Sequence, residues 1–357
     1  MALLSLDPNE PFSALVAVGE WLAADDERYL RIESSGSTGT PKGIFLSREA
    51  MKASASASNI RLGGPGQWLL ALPVSYVAGA QVLVRSHLSD THPVMMNLNV
   101  PFAAEGFAQS ASLMTGSRRY VSLVPTQLMR IADAIERDNF VLEQLRRFDA
   151  VLVGGQAPQA ALVAGLRELG VNVVVTYGST ETAGGCVYDG VALDGVEAAL
   201  AADGRVRLRG PVLAAFTGSE DAPVPVAGPD GWLQTNDLGE FDGDGRLHVI
   251  GRADRVIASG GIKISLDRVE ALAGLTTGVT ELAAAPIDDP EWGQRVGIAY
   301  TGSPEVADEI ARALADELGP AGRPIRVLRV DALPKLPNSK IDLLAVKNLV
   351  NQPQEPK

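Results

Sequence analysis

Short apolar runs alternate with amphipathic stretches through the first two-thirds of the chain. The apolar runs predict five buried strands, at residues 68–72, 82–84, 120–124, 151–153 and 173–175. Between them, the spacing of apolar positions predicts helices at residues 48–61, 126–137 and 158–169. Strand, helix and strand from Val151 to Tyr177 form a βαβ unit, and a glycine follows each strand. Because α/β folds bind ligands where such strands end, this unit predicts a binding site at its glycines.

The pattern changes twice in the last third of the chain. Residues 205–209 alternate with period two, and the Gly- and Pro-rich stretch up to Gly231 predicts a β-rich subdomain. A second change falls at Gly251-Arg252-Ala253-Asp254, and predicted elements follow: helices at 266–275 and 304–318, a terminal helix, and strands near 282–286, 296–300 and 325–330. The predicted fold is mixed α/β, with a large N-terminal domain of layered α/β sheets (1–252) and a small α+β domain (253–357).

Composition excludes several classes of protein. The 357 residues exceed what one hydrophobic core usually supports, which agrees with two domains. A net charge of −12 argues against nonspecific nucleic-acid binding and against an anionic membrane surface, and leaves a local basic pocket open. No apolar stretch approaches the ~20 residues that span a bilayer, and the N-terminus lacks the features of a signal peptide. Cys186 is the only cysteine, which excludes an intramolecular disulfide and predicts a reducing compartment, the cytoplasm. Three histidines and one cysteine leave few N and S ligands, so a metal would be held by oxygen.

The segment from Ser34 to Gly43 has the composition of a phosphate-binding loop. Its glycines let backbone N–H groups approach an anion, its hydroxyls donate hydrogen bonds, and Lys42 adds a positive charge. Pro41 stands where a Walker A loop needs glycine, and the segment does not fit G-x-G-x-x-G. A Ser/Gly linker would explain the composition but not the closing Thr-Pro-Lys-Gly. The candidate phosphate ligands are Ser35, Gly36, Ser37, Thr38, Gly39, Thr40 and Lys42.

This segment resembles the phosphate loop of the adenylate-forming enzymes, the superfamily of acyl-CoA synthetases, adenylation domains and luciferases. Five further segments resemble motifs of that superfamily and occur in its order: Gly154-Gly155-Gln156-Ala157-Pro158, Tyr177-Gly178-Ser179-Thr180-Glu181-Thr182, Trp232-Leu233-Gln234-Thr235-Asn236-Asp237-Leu238-Gly239, Gly251-Arg252-Ala253-Asp254 with Ser259-Gly260-Gly261-Ile262-Lys263, and Leu333-Pro334-Lys335-Leu336-Pro337-Asn338-Ser339-Lys340-Ile341-Asp342. Each alone is a weak signal, but their order from Ser34 to Asp342 is specific. Asn236 and Ser339 stand where the superfamily commonly has glycine.

The resemblance implies a role for each segment in an ATP- and CoA-dependent reaction. It implies contacts with adenine and ribose from Gly154, Gly155, Gln156, Tyr177, Gly178, Asp237 and Arg252. Thr180 would contact phosphate and Glu181 would help to hold Mg²⁺. Lys340 would be the catalytic lysine, with Asp254 as the hinge of a mobile C-terminal domain and Gly260 and Gly261 beside the pantetheine arm of CoA.

Two segments narrow the resemblance. Residues 63–86 and 182–195 resemble the short actinobacterial o-succinylbenzoate–CoA ligases of menaquinone synthesis, which also have a short portion before the phosphate loop. These enzymes convert 2-succinylbenzoate to an acyl-adenylate, releasing pyrophosphate, and then to the CoA thioester, releasing AMP. Ser75-Tyr76 stands where many relatives have a Tyr-His or His-His pair. Any role that a histidine has at this point in those relatives is therefore in doubt for this chain.

The aromatic carboxylate of that substrate would need a cation or several donors in a mostly apolar pocket. The candidates by neighbourhood are Tyr76, Arg85, Ser86, Gln127, Arg130 and Ser179. Arg85 comes first, since it ends the predicted strand at 82–84. Arg130 could instead face solvent, Gln127 could cap backbone, and Cys186 is expected to be a small pocket or core residue rather than a nucleophile.

Two other functions stay open. One is CoA ligation of another aryl or short-chain acid. The other is a non-catalytic protein that binds acyl-adenylates, which predicts damage to Lys340, Glu181 or the phosphate loop, and all three are retained. The expected partners are small molecules, without nucleic acid or membrane insertion, and a homodimer is left open.

Overall fold

The structure, a computed structural model, describes residues 1–34, 42–335 and 341–352. The chain divides into two compact units. The first contains Met1–Ala199, Arg207–Gln234 and Phe241–Leu247, and the second contains Leu200–Val206, Thr235–Glu240 and the chain from His248 onward.

The helices of the described residues are α1 (Pro11–Ala23), α2 (Arg48–Arg61), α3 (Val77–Leu88), α4 (Ala104–Ser112), α5 (Pro125–Ile135), α6 (Asn139–Leu145), α7 (Ala160–Glu168), α8 (Leu266–Ala273), α9 (Ala307–Gly322) and α10 (Leu343–Asn351). The strands are β1 (Leu3–Leu4), β2 (Tyr29–Ser34), β3 (Lys42–Leu46), β4 (Gln67–Leu70), β5 (Val94–Met95), β6 (Arg119–Leu123), β7 (Ala150–Val153), β8 (Val173–Ser179), β9 (Gly184–Tyr188), β10 (Val191–Ala192), β11 (Glu197–Leu200), β12 (Arg205–Arg209), β13 (Phe216–Gly218), β14 (Pro223–Pro225), β15 (Leu233–Phe241), β16 (Leu247–Arg252), β17 (Val256–Ser259), β18 (Ile262–Ser265), β19 (Val279–Asp289), β20 (Gly293–Gly302) and β21 (Arg326–Arg329).

A seven-stranded sheet forms the centre of the first unit, in the order β10-β9-β8-β7-β6-β4-β5. Strands β5, β4, β6, β7 and β8 run parallel, and β9 returns antiparallel to β8. All four residues of β7 are buried, because helices that include α4, α5, α6 and α7 pack their apolar sides against the sheet. The predicted βαβ unit is confirmed as β7, α7 and β8, so Gly154 after β7 and Gly178 near the end of β8 lie at one edge of the sheet.

Two further sheets contain strands that precede the C-terminal part of the chain. The first unit also contains a five-stranded sheet, β1-β2-β3-β13-β14, in which β3 carries Lys42 at its start. A four-stranded sheet has the order β11-β12-β15-β16, which confirms the strand predicted at residues 205–209.

The C-terminal part of the second unit has the predicted α+β composition. Its sheet runs β18-β17-β20-β19, with β21 parallel to β20. Helices α8 and α9 contribute to one apolar cluster with this sheet, and α10 packs on β19 and β20 in another. The mixed α/β fold predicted from the sequence is therefore confirmed.

One predicted strand is wrong. Residues 82–84 lie within helix α3, whose residues from Gly79 to Ser86 are all buried. A helix buried on every side shows the same unbroken apolar run as a buried strand, so the pattern cannot separate the two. Gly79 lies where α3 passes close to the preceding loop, since a Cβ there would be 2.2 Å from the Pro73 carbonyl oxygen. Among the described residues, no helix has the length and apolar character that crossing a bilayer requires.

Candidate active site

The loop after β7 begins at Gly154 and Gly155, two of the residues assigned to the adenine side. A Cβ on Gly154 would lie 2.4 Å from the Thr176 hydroxyl of the neighbouring strand, so this position requires glycine. Gly155 has φ +85°, a conformation that other residues rarely adopt, and Gln156 beside it is exposed. The chain therefore turns away from the sheet edge here and leaves its backbone accessible to a ligand.

The Tyr-Gly-Ser-Thr-Glu-Thr segment forms the end of β8 and the turn that follows it. Residues Thr180–Thr182 form one 3₁₀ turn, and the Thr182 hydroxyl donates to the Gly184 carbonyl (2.7 Å) and accepts from the Ser179 N–H (2.8 Å). Gly178 permits a close approach, because a Cβ there would be 2.2 Å from the Gly184 oxygen. The hydroxyl thus closes the turn internally and fixes its backbone.

Glu181 lies within this turn and is partly exposed. No side-chain hydrogen bond or ion pair of Glu181 occurs among the described residues, although its carbonyl accepts the Ala214 N–H (2.8 Å). The described part of the chain contains no cluster of three His, Cys, Asp or Glu residues that could enclose a metal. Mg²⁺ usually binds one or two carboxylates together with substrate phosphates and water, so a single available carboxylate fits a magnesium ion that arrives with a nucleotide.

Arg252, in the second unit, joins two of the predicted site residues. Its guanidinium donates to Asp254 through two bonds (2.9 and 2.8 Å) and lies 3.5 Å from the Asp237 carboxylate. The hydrogen bonds from Arg252 lower the pKa of Asp254, and the same bonds raise the pKa of Arg252. Ribose and hinge candidates are therefore coupled through one cation. The backbone N–H of Arg252 donates to Asp267 (2.6 Å), which fixes the start of the segment.

Gly260 and Gly261 form the turn between β17 and β18, both with positive φ (+57° and +82°). A Cβ on Gly260 would lie 2.7 Å from the Trp292 ring, whereas a Cβ on Gly261 would meet nothing within 4 Å. The lack of a side chain thus has a different consequence at each position. Gly260 leaves room for the Trp292 ring, and Gly261 exposes backbone at the surface.

Arg85 does not lie where the sequence placed it. It belongs to helix α3 and is 3% exposed, with Nη2 donating to the Ser58 hydroxyl (3.1 Å) and the Tyr188 hydroxyl (3.4 Å). Its guanidinium stacks over Trp68, 4.6 Å from the ring centroid, and burial lowers its pKa. No carboxylate within the described residues pairs with it. The prediction that Arg85 ends a strand directed at the ligand is therefore wrong, and Ser86 beside it is buried as well.

Of the remaining acyl-pocket candidates, Gln127 is held by backbone groups, whereas Arg130, Tyr76 and Ser179 are exposed. Gln127 uses both ends of its amide on backbone: it donates to the Ala71 carbonyl (2.9 Å) and accepts the Val124 N–H (3.1 Å). This is the capping alternative stated above. Arg130 is exposed in the second turn of α5, the helix that follows β6, and one nitrogen donates to the Phe102 carbonyl (3.2 Å). Tyr76 precedes α3 and is 38% exposed, and Ser179 is exposed where β8 ends.

Cys186 fits the core residue expected of it. It is fully buried in β9, and burial raises the pKa of its thiol to about 12. A thiol with this pKa is almost entirely protonated at neutral pH and is a poor nucleophile.

Lys340 and the phosphate-loop residues 35–41 lie outside the described part of the chain. The phosphate-ligand candidates among them are Ser35, Gly36, Ser37, Thr38, Gly39 and Thr40. Lys42 follows the loop at the start of β3 and is exposed. Their assignments stay predictions from the motifs.

Sequence reasoning missed two buried polar residues, Ser54 on α2 and Gln81 on α3. Both donate to the carbonyl of Ala183, the residue that ends the turn carrying Glu181. The only signal in the sequence is a polar residue among buried positions of a helix, which is not specific.

The fold and these loops define a nucleotide-binding α/β protein, and the comparisons agree. The family model described as AMP-binding enzyme matches residues 17–211, and the chain belongs to this family. Along 95% of its length it is 39% identical to the "Probable 2-succinylbenzoate–CoA ligase" of Mycobacterium tuberculosis H37Rv, covering 88% of that protein. The Escherichia coli K12 2-succinylbenzoate–CoA ligase is 29% identical over 333 residues, 90% of this chain and 69% of that one.

A solved structure is similar as well. The o-succinylbenzoate CoA synthetase of Bacillus subtilis, in complex with its acyl-adenylate intermediate, has a TM-score of 0.78 and 25% identity, over 89% of this chain and 68% of that one. The predicted resemblance to adenylate-forming enzymes and to o-succinylbenzoate–CoA ligases is confirmed by these findings.

Proposed function

We propose that this protein ligates 2-succinylbenzoate to coenzyme A, with ATP cleaved to AMP and pyrophosphate. The observation that carries the proposal is the similarity along nearly the whole chain to ligases named for this reaction. Because its co-substrates ATP and CoA are cytoplasmic metabolites, we place the reaction in the cytoplasm.

The first half-reaction needs positioning more than acid–base chemistry. The aliphatic carboxylate of the substrate is already an anionic nucleophile, and it attacks the α-phosphorus of ATP as the bond to pyrophosphate breaks. The barrier comes from bringing an anion to a polyanion, so cations and N–H donors supply the catalysis. In this proposal Lys340 neutralises the approaching carboxylate and α-phosphate, and the loop from Ser35 to Lys42 holds the outer phosphates.

We assign the turn after β8 to the binding of Mg²⁺ and the phosphates of ATP. Glu181 would hold Mg²⁺ together with the phosphates, and Thr180 would donate to a phosphate oxygen. The ion supplies charge neutralisation on the pyrophosphate leaving group. Tyr177 and the backbone of Gly154, Gly155 and Gln156 would hold the adenine, and the Asp237 carboxylate, 3.5 Å from Arg252, would accept from the ribose hydroxyls.

In the second half-reaction the CoA thiol attacks the acyl carbon of the adenylate, and AMP leaves. We propose that residues 253–357 turn about Asp254 between the two steps and that Gly260 and Gly261 then flank the pantetheine arm. Gly261 suits this assignment because a Cβ there would meet nothing within 4 Å.

We assign the aromatic carboxylate of the substrate to Arg130 rather than Arg85. Arg130 is exposed on α5, the helix that follows β6, whereas Arg85 is enclosed by Trp68 and Tyr188. The Arg85→Ala change would mainly remove a packed side chain and is therefore a poor probe of substrate binding.

The Arg130→Gln change is expected to lower kcat/KM for 2-succinylbenzoate by about 10- to 100-fold, since a hydrogen bond to a charged group contributes about 1.5–3 kcal/mol. It should leave the use of 4-oxo-4-phenylbutanoate, which lacks the aromatic carboxylate, within about twofold. Steady-state kinetics with both acids measure this. Arg137→Gln, which removes another exposed arginine just beyond α5, is the control. Equal losses with both acids would contradict the assignment.

The proposed function is tested by incubating the protein with ATP, Mg²⁺, CoA and 2-succinylbenzoate and following the products by chromatography. We expect AMP and the thioester in equal amounts, and ATP–pyrophosphate exchange that depends on 2-succinylbenzoate. Exchange with another acid from a panel, and none with 2-succinylbenzoate, would favour the alternative ligase. Binding of an acyl-adenylate without exchange would favour the non-catalytic protein.

A further inference from the structure

Ala183 has an unusual backbone for its residue type. It follows the Thr180–Thr182 turn with φ +51° and ψ 34°, the left-handed region, and it is fully buried. A Cβ makes this region unfavourable, and non-glycine residues stay there only when their surroundings hold them. Something in the fold must therefore stabilise this peptide.

Two buried side chains hold the carbonyl of Ala183. Gln81 donates from Nε2 (2.8 Å) and Ser54 donates from its hydroxyl (3.0 Å), so both lone pairs of one carbonyl oxygen have a donor. Gln81 is 1% exposed and Ser54 is 0% exposed. The donors come from α3 and α2, so two helices converge on one peptide.

The held peptide is connected directly to the turn that bears Glu181. The N–H of Ala183 donates to the Thr180 carbonyl (3.1 Å), and its neighbour Thr182 closes the turn through its hydroxyl. The Glu181 carboxylate has no side-chain partner within the described residues, so its position depends on the backbone of this turn. Loss of the two donors would leave that backbone free to relax.

We infer that Gln81 and Ser54 are positioning residues for adenylation, which hold Ala183 in its left-handed conformation and thereby aim Thr180 and Glu181 at the metal–nucleotide complex. The inference rests on the proposed roles of Thr180 and Glu181. Gln81 Nε2 also donates to the Met51 carbonyl of α2 (3.3 Å), so its amide joins α2, α3 and the Ala183 peptide.

The test compares Gln81→Met and Ser54→Ala with the wild type. We expect each variant to fold, to bind MgATP about tenfold more weakly by calorimetry without any acid present, and to need more Mg²⁺ for half-maximal exchange. Pyrophosphate exchange should fall by about 10- to 100-fold, the scale on which small misplacements of catalytic groups act. Thioester formation from preformed acyl-adenylate should change little. Unaltered MgATP affinity and exchange in a folded Gln81→Met or Ser54→Ala protein would overturn the inference.

Two further variants separate positioning from stability. Ala183→Gly in the Gln81→Met background should restore most of the exchange, because glycine adopts the left-handed conformation without strain. Gln144→Met, which removes another buried glutamine from α6, should lower the melting temperature but not the Mg²⁺ dependence. Failure of the glycine to restore exchange, or an equal change in Mg²⁺ dependence in Gln144→Met, would overturn the inference. A wild-type protein that binds MgATP but shows no ATP–pyrophosphate exchange with any acid would instead refute the proposed function. The MgATP titration of the variants would still test the role of Gln81 and Ser54.

Discussion

Replacing Lys340 with alanine is expected to lower the rate of adenylate formation by about 10²–10³-fold, equivalent to about 3–4 kcal/mol of transition-state stabilisation. The reason is electrostatic: a carboxylate must approach the α-phosphate of a polyanion, and in the proposed mechanism Lys340 supplies a positive charge there. Pyrophosphate exchange in the presence of 2-succinylbenzoate measures this step. Thioester formation from preformed acyl-adenylate and CoA should be nearly unchanged.

Lys347→Ala is the matched control, since Lys347 is an exposed lysine of α10 close to Lys340 in sequence. It should leave both half-reactions unchanged. If Lys340→Ala slowed both half-reactions equally, Lys340 would not be the lysine of adenylation.

Asp254→Pro is expected to have the opposite pattern: adenylate forms and pyrophosphate is released, but thioester does not accumulate. Asp254 lies in the 3₁₀ turn Ala253–Arg255, and such turns have φ near −50 to −70°, the range that proline imposes. Proline should therefore be accepted in this conformation and prevent the change in backbone angles that a hinge requires. Quenched-flow measurement of both half-reactions checks the result.

Asp254→Ala separates the hinge from the ion pair, because it removes the carboxylate that binds Arg252 but leaves φ free. It should retain thioester formation far better than the proline variant. Loss of adenylation with intact CoA transfer in Asp254→Pro would show that Asp254 is not the hinge.

The sequence predicted the strands of the central sheet because the relevant signals are local. Strands β7 and β8 are short apolar runs on either side of the amphipathic helix α7, and Gly154 and Gly178 mark where the chain passes close to a neighbouring strand. The predicted strand at 82–84 was wrong because a fully buried helix loses its polar side, and with it the period that identifies a helix.

The pair of hydrogen bonds from Ser54 and Gln81 to the Ala183 carbonyl could not be predicted, since it depends on contacts between distant parts of the chain. Ser54 and Gln81 lie 129 and 102 residues from the carbonyl that they bind. Their partner is a backbone atom, which has no sequence signature. The residue in the left-handed conformation is an alanine, whereas a glycine would have indicated such a turn in the sequence. Arg85 misled for a related reason: its neighbours Trp68 and Tyr188 come from other elements.

The most direct test of the proposed substrate is the ratio of kcat/KM for 2-succinylbenzoate to that for 4-oxo-4-phenylbutanoate, which lacks only the aromatic carboxylate. A site built for a charged hydrogen-bond partner leaves its own donors unpaired when that partner is missing, a penalty of about 2–5 kcal/mol. The account therefore predicts a ratio of at least about 30 in the native enzyme, since each 1.4 kcal/mol is tenfold. A ratio near one would contradict it and would identify the protein as a CoA ligase for a broader class of aryl or acyl acids.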